Sequence, residues 1–171
     1  LAGGIEFLFK KNKVDYLRGT ASIPAAGQVT VTAADGSEET HEAAKILIAT
    51  GAKTRDMPGF PFNGKTVIGS KEAMTLETQP KSIIVIGAGA IGIEFAYFFN
   101  AYGTKVTVVE MQPDILPVED TEVSQTLEKS LTKSGIRILT STKVTGTSED
   151  GNGVKITVEG AANETLEADL C

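Results

Sequence analysis

The 171-residue sequence is poor in the residues that most often build catalytic and metal sites. It contains one cysteine, one histidine and no tryptophan. A single cysteine excludes an internal disulfide, and no metal set of Cys and His can be assembled from one residue of each kind. His41 lies in a polar stretch that is typical of a solvated strand face. The sequence therefore predicts no metal site and no catalytic residue in this chain.

Basic residues and long apolar runs are also scarce. The net charge is −6 and the pI is about 4.9, and no basic patch is visible, so nucleic acid and anionic membranes are poor partners. No apolar run approaches the roughly 20 residues that span a bilayer. The composition is ordinary for a soluble globular protein.

Glycine, in contrast, forms one informative motif. The apolar, β-branched run Ile83 to Ile86 predicts a buried strand, and it leads into Gly-x-Gly-x-x-Gly and then into a helical pattern. Gly87 permits a tight turn, Gly89 lets the backbone approach a pyrophosphate, and Gly92 lets helix and strand pack closely. The helix N-terminus would face the pyrophosphate with free N–H groups. The predicted dinucleotide-binding residues are Gly87, Ala88, Gly89, Ala90, Ile91, Gly92, Ile93 and Glu94.

An acidic residue extends this motif and bears on the choice of cofactor. Glu110 closes the next predicted strand, Lys105 to Val109, at the distance of about 20 residues at which a carboxylate can accept hydrogen bonds from a ribose. It would repel a 2′-phosphate, and Met111 and Gln112 bring no arginine to neutralise one. NAD is therefore predicted rather than NADP. Glu94 is either a partner of the helix dipole or a functional residue.

The chain also contains an internal repeat. A helix at Ile5 to Lys11 precedes a predicted strand at Val14 to Leu17, and a helix at Thr121 to Ser134 precedes one at Ile136 to Leu139. Two alternating strands follow in each copy, at a nearly constant offset. The paired strands are Gln28 to Thr32 with Glu38 to Glu42, and Val154 to Val158 with Glu164 to Glu167.

Each copy then leads into a final apolar strand, and this sets the predicted domain organisation. The first copy has Ile46 to Ala49 there, and the second stops after Asp169 to Cys171. We expect a Rossmann-like α/β fold with a parallel sheet and an antiparallel β-meander. The expected domains are the back half of one dinucleotide domain at 1–52, a linker at 53–80 and a second domain at 81–171. An unpaired strand stub predicts an internal fragment of a longer protein.

Two tandem dinucleotide domains joined in this way resemble the flavoprotein disulfide reductases. The resemblance covers essentially the whole chain and is greatest to the dihydrolipoyl (lipoamide) dehydrogenases. It is carried by 3–14, 46–51, 86–94, 108–111 and Ile115 to Ser124. It implies that the first domain of the parent protein binds FAD and that the second binds NAD, with Val144 near the adenine. The implied FAD-site residues are Ala21, Thr50, Gly51 and Ala52.

The resemblance also implies a reaction and partners. Electrons from protein-bound dihydrolipoyl groups would pass through a redox disulfide and FAD to NAD. The parent would be a homodimer that serves a lipoyl-bearing protein of a 2-oxo acid dehydrogenase or glycine cleavage complex. Its compartment would be the cytoplasm, or the mitochondrial matrix in a eukaryote. The resemblance also implies that Glu94 lies toward the nicotinamide–flavin contact.

Three departures from the family pattern limit what this chain is expected to do. It has no Cys-x-x-x-x-Cys, no His-Glu base pair and no FAD pyrophosphate turn. We therefore expect no lipoamide-dependent turnover from this polypeptide alone. Two other interpretations stay open: a part of another FAD- and NAD(P)-dependent disulfide reductase, or a non-catalytic NAD-binding module.

Overall fold

A computed structural model describes residues 2–55, 59–149, 151 and 153–171. The chain separates into two compact units, Leu1–Ala52 and Lys53–Cys171. Residues 56–58 of the predicted linker lie outside the described residues. The elements of the first unit are α1 (Ala2–Lys11), β1 (Thr20–Ser22), β2 (Gln28–Thr32) and β3 (Glu38–Glu42).

The first unit is a helix followed by an antiparallel sheet of order β1-β2-β3. The β2–β3 hairpin closes at Gly36, which has a φ of +85° and donates its N–H to the Ala33 carbonyl at 3.0 Å. None of the described residues of this unit is buried. The hairpin prediction is confirmed, yet this unit builds no apolar core among its described residues.

Two strand predictions in the first unit are wrong. Neither Val14 to Leu17 nor Ile46 to Ala49 forms a strand, and Leu47 and Ile48 are 90% and 70% exposed. Ile46 to Ala49 is a continuous apolar run with the composition of a buried parallel strand, and such a strand needs parallel neighbours to satisfy its backbone groups. Among the described residues, these two segments have no such neighbour.

The second unit contains the remaining elements. Helix α4 and four of the six strands match the sequence prediction to within one residue at each end, and α3 follows the glycine motif as predicted. Strand β8 continues to Gly160, and β7 was not predicted because its polar sequence lacks apolar alternation. The elements are α2 (Ser70–Ala73), β4 (Ser82–Ile86), α3 (Ala90–Ala101), β5 (Lys105–Val109), α4 (Thr121–Lys133), β6 (Arg137–Leu139), β7 (Thr142–Glu149), β8 (Val154–Gly160) and β9 (Glu164–Ala168).

A parallel sheet of order β4-β5-β6 forms the centre of this unit, and β7-β8-β9 form an antiparallel meander. Leu170 extends the parallel sheet, because its carbonyl accepts the Ile84 N–H at 2.9 Å and it bridges Ile83 in parallel. The predicted final strand of the second copy therefore pairs, whereas its counterpart in the first unit does not.

Both faces of the parallel sheet are covered, as its apolar strands require. One face packs with α3 and α4 into a helix-side cluster, and the other packs against the meander as a meander-side cluster. The buried residues of the helix-side cluster are Ile83, Ala88, Ile93, Ala96, Phe99, Val106, Val108, Ile115, Leu131 and Ile136. Those of the meander-side cluster are Phe60, Val67, Ile84, Val109, Val154, Ile156, Val158 and Leu166.

This layered arrangement confirms the predicted α/β class with a parallel sheet and an antiparallel meander. Asp120 caps α4 by accepting the Glu122 N–H at 2.9 Å, and Gly103 follows α3 with a φ of +89°, which ends that helix. None of the described helices is both long enough and apolar enough to cross a membrane.

Cys171 gives a chemical test of this packing. Its side chain packs against the meander-side cluster, and burial raises the pKa of its thiol to about 12. Because the thiolate is the reactive form, we expect alkylation at pH 8 to be ~10³-fold slower than for a free cysteine. Denaturant should restore the ordinary rate. Rapid labelling of the folded chain would contradict this packing.

Candidate functional site

The glycine turn lies where β4 ends and α3 begins, at the carboxyl edge of the parallel sheet. Gly87 has a φ of +97°, which side-chain-bearing residues rarely adopt, and its N–H donates to the Val109 carbonyl at 2.9 Å. The chain therefore leaves β4 by a tight turn that is tied to the neighbouring strand β5.

Gly92 is required by close packing. A Cβ built on this residue would collide with the Gly87 carbonyl oxygen and would lie 3.3 Å from Cγ1 of Val85. Because the oxygen belongs to the backbone, it cannot rotate away. The first turn of α3 can approach the strand only when residue 92 has no side chain.

Gly89 differs from both, because the fold does not require a glycine there. Its φ is −70°, and a Cβ at this position would meet nothing within 4 Å. It is the N-cap of α3 and is exposed. A methyl group here would occupy the open space in front of the helix, where the absence of a side chain leaves room for a ligand.

The N-terminus of α3 supplies the polar groups that face this space. Its first turn contains no acidic residue, and the carbonyl of Gly89 accepts the first intrahelical bond, from the Ile93 N–H at 3.0 Å. The preceding N–H groups have no helical partner by geometry, and with the dipole they favour an anion. Ile91 is 62% exposed and Glu94 is exposed on the same helix.

Glu110 lies beside the turn and is only 7% exposed. One carboxylate oxygen accepts the Ala88 N–H at 2.7 Å, and the other accepts the Gln112 N–H at 2.8 Å. Each oxygen can accept a further hydrogen bond. The carboxylate is thus held at the turn by two backbone donors, with acceptor capacity left for hydroxyl groups.

The end of β6 and the start of β7 hold the backbone of Glu110. The Glu110 N–H donates to the Leu139 carbonyl at 2.8 Å, and the Glu110 carbonyl accepts the Thr142 N–H at 2.9 Å. Ser141 donates its N–H to the Gln112 carbonyl at 2.8 Å. Val144 lies shortly beyond Thr142 on β7, before a bulge, and its half-buried side chain packs on the meander-side cluster.

Within the part of the chain that the structure describes, the hydrogen bonds between predicted site residues, such as the bond from Ala88 to Glu110, lie in the second unit. The predicted FAD residues belong to the first unit: Ala21 is exposed on β1 opposite Val31, and Thr50, Gly51 and Ala52 are exposed in irregular chain, where Gly51 has a φ of +80°. Among the described residues, no group of three or more His, Cys, Asp or Glu side chains could hold a metal ion.

Sequence patterns did not reveal the contribution of the loop after β5. The Leu116 N–H donates to the carbonyl of Ala88 at 2.8 Å, so that this turn residue is held at both its N–H and its carbonyl. Isolated loop amides leave no periodic or compositional signal. The loop also contains Met111 and Val118, so the apolar pair Ile115 and Leu116 did not stand out in its composition.

Two curated relatives with similar sequences share one activity in their names. A dihydrolipoyl dehydrogenase of Chlorobaculum parvum is 44% identical over 167 residues, which cover 96% of this chain and 36% of that protein. A dihydrolipoamide dehydrogenase of Chaetomium thermophilum is 46% identical over 174 residues, covering 99% of this chain and 34% of that protein. The chain thus spans about a third of the length of these curated relatives.

A solved structure is also similar over nearly the whole chain. The crystal structure of LpdA from Mycobacterium tuberculosis matches with a TM-score of 0.75 and 28% identity, covering 99% of this chain and 38% of that one. The family model for pyridine nucleotide-disulphide oxidoreductases matches residues 1–171. With the parallel sheet, the glycine turn and the β-meander described above, this match shows that the chain belongs to the pyridine nucleotide-disulphide oxidoreductase family.

Proposed function

We propose that the second unit binds NAD(H), and that it does so as part of a dihydrolipoyl dehydrogenase. The observation that carries the proposal is the contrast between Gly89 and Gly92. Packing demands a glycine at position 92, whereas position 89 faces open space in front of a helix N-terminus without an acid in its first turn. A pyrophosphate needs this combination of space and N–H donors.

The residues present fit the ADP half of the cofactor. The pyrophosphate would be bound across Gly87 to Glu94, the adenosine ribose would be bound by Glu110, and the adenine would lie near Val144. Glu110 suits this role because two backbone N–H groups already orient its carboxylate at the turn. Glu94, exposed on α3, would lie toward the nicotinamide. The cofactor itself supplies the hydride chemistry.

The proposed domain organisation places an FAD contribution in 1–52, a linker in 53–80 and the NAD domain in 81–171. Ala21, Thr50, Gly51 and Ala52 would lie against FAD. The proposed overall reaction oxidises a protein-bound dihydrolipoyl group to the disulfide form, and its two electrons pass through a redox disulfide and FAD to NAD, which becomes NADH. The relatives named dihydrolipoyl dehydrogenase support this reaction.

The partners and the compartment are part of the same proposal, and the name dihydrolipoyl dehydrogenase of these relatives supports a lipoyl-bearing partner. The partner would be a lipoyl-bearing protein of a 2-oxo acid dehydrogenase or glycine cleavage complex, and the enzyme would act as a homodimer. It would work in the cytoplasm, or in the mitochondrial matrix of a eukaryote.

Isothermal titration calorimetry of the 171-residue chain tests the NAD site directly. NADH should bind at least roughly ten-fold more tightly than NADPH, because a 2′-phosphate close to the Glu110 carboxylate costs about 1–4 kcal/mol in Coulomb energy. ADP-ribose should bind as well, since the proposed contacts are to the ADP half. Equal or tighter binding of NADPH would refute the assignment of Glu110 to the ribose.

A further inference from the structure

The loop between β5 and α4 forms a hydrogen bond with Ala88, the residue between the first two glycines of the turn. Ala88 is 0% exposed; its carbonyl accepts the Leu116 N–H at 2.8 Å, and its own N–H donates to Glu110 at 2.7 Å. The two peptide units that flank Ala88 are therefore held by groups outside the glycine motif. The second of these peptide units ends at the N–H of Gly89, the residue that faces the open space.

Leu116 is itself held in an uncommon conformation. Its φ is +48°, a region that side-chain-bearing residues rarely occupy and that persists only where the surroundings impose it. Its carbonyl accepts the Glu119 N–H at 2.9 Å and the Ser124 hydroxyl at 3.4 Å. Before it, Ile115 is 0% exposed within the helix-side cluster. The core thus fixes the backbone of the residue that donates to Ala88.

We propose that Ile115 and Leu116 are positioning residues for the dinucleotide site. Ile115 anchors the loop in the core, Leu116 fixes the Ala88 carbonyl, and the Ala88–Gly89 peptide is thereby aimed at the pyrophosphate before the ligand arrives. Affinity gains from such preorganisation because less conformational freedom is lost on binding. The inference rests on the proposed NAD site, and it adds residues that contact no ligand.

The test compares two isoleucines of the same cluster. Ile115→Val and Ile136→Val each remove one methyl from a site that is 0% or 1% exposed. Ile136 immediately precedes β6, at the end of that strand opposite to the glycine turn, and donates its N–H to the Leu131 carbonyl. Both variants of the full chain should lower the unfolding midpoint similarly, by about 3 °C. Only Ile115→Val should weaken ADP-ribose binding, by about five-fold in calorimetry.

A second variant covers the case in which Ile115→Val does not fold. Leu116→Gly keeps the donating N–H and tolerates the positive φ, but it frees the loop backbone. It should give a similar several-fold loss of ADP-ribose affinity and faster hydrogen exchange of the residue-116 amide.

The outcomes separate this inference from the proposed function. If the unsubstituted chain binds ADP-ribose but neither Ile115→Val nor Leu116→Gly weakens it more than Ile136→Val does, the positioning role is wrong and the NAD site stands. If the unsubstituted chain does not bind ADP-ribose, the proposed NAD site is wrong. The positioning role is then wrong as well, because the loop has no ligand to position.

Discussion

Gly92→Ala is expected to unfold the dinucleotide turn and abolish NADH binding. Its new methyl group would overlap the Gly87 carbonyl oxygen and press on Val85. Since neither the turn nor β4 can retreat without breaking the Gly87–Val109 hydrogen bond, we expect a loss of about 3 kcal/mol in the free energy of unfolding. This corresponds to a fall of about 10 °C in the unfolding midpoint.

Gly89→Ala is the matched control, because it adds the same methyl group three positions earlier. There φ is −70° and the added Cβ meets nothing, so stability should change by no more than about 0.5 kcal/mol. NADH affinity should nevertheless fall by roughly 30-fold or more, because the methyl group occupies space proposed for the pyrophosphate. Calorimetric unfolding and NADH titration of both variants give the comparison.

A Gly89→Ala variant that binds NADH as well as the unsubstituted chain would contradict the placement of the pyrophosphate. A Gly92→Ala variant of unchanged stability would contradict the close packing of α3 on the turn. The two results are independent. Gly89→Ala tests the open space proposed for the ligand, whereas Gly92→Ala tests a contact within the protein.

The glycine motif could be predicted from the sequence because its signals are local. The strand before it is apolar and β-branched, a helical pattern follows, and an acid ends the next strand. In the structure these features are β4, α3 and Glu110. The predicted close packing at Gly92 is also present, because a Cβ there would collide with the Gly87 carbonyl oxygen.

The parallel strands show where local signals are insufficient. Ile46 to Ala49 and Ile83 to Ile86 have similar apolar compositions, but only the second forms a strand. Parallel strands are stabilised by neighbours far away in sequence, and Ile83 to Ile86 has β5 on one side and Leu170 on the other. Composition indicates a buried strand, whereas pairing decides whether it forms.

The wider hydrogen-bond network of the site was also beyond sequence reasoning. Leu116, Ser141 and Thr142 act through backbone amides, which every residue except proline possesses. Their identity therefore carries little information about their contacts. Glu110 could be found because its carboxylate is chemically distinctive, but its two backbone partners, the Ala88 and Gln112 N–H groups, could not.

Glu110→Gln is expected to weaken NADH binding and to remove most of the preference for NADH over NADPH. A carboxylate accepts from both the Ala88 and the Gln112 N–H groups, whereas the amide of glutamine has one acceptor oxygen and would set its NH₂ group against the other donor. One N–H in a largely buried setting then loses its partner, at a cost of about 1–3 kcal/mol.

The affinity change follows from the same geometry. The ribose loses a charged acceptor, and the turn loses one of the bonds that orient it, so NADH affinity should fall by about 30-fold. NADPH should lose less, because the repulsion between Glu110 and the 2′-phosphate disappears with the charge. Parallel titrations with NADH and NADPH measure the ratio of the two affinities.

Glu159→Gln is the charge-matched control for this substitution. Glu159 is exposed on β8, so its replacement changes the net charge equally without touching the turn. It should leave both affinities and the unfolding midpoint unchanged. If Glu110→Gln keeps the NADH preference of the unsubstituted chain, a group other than Glu110 must discriminate against the 2′-phosphate, and the carboxylate would serve only to hold Ala88 and Gln112.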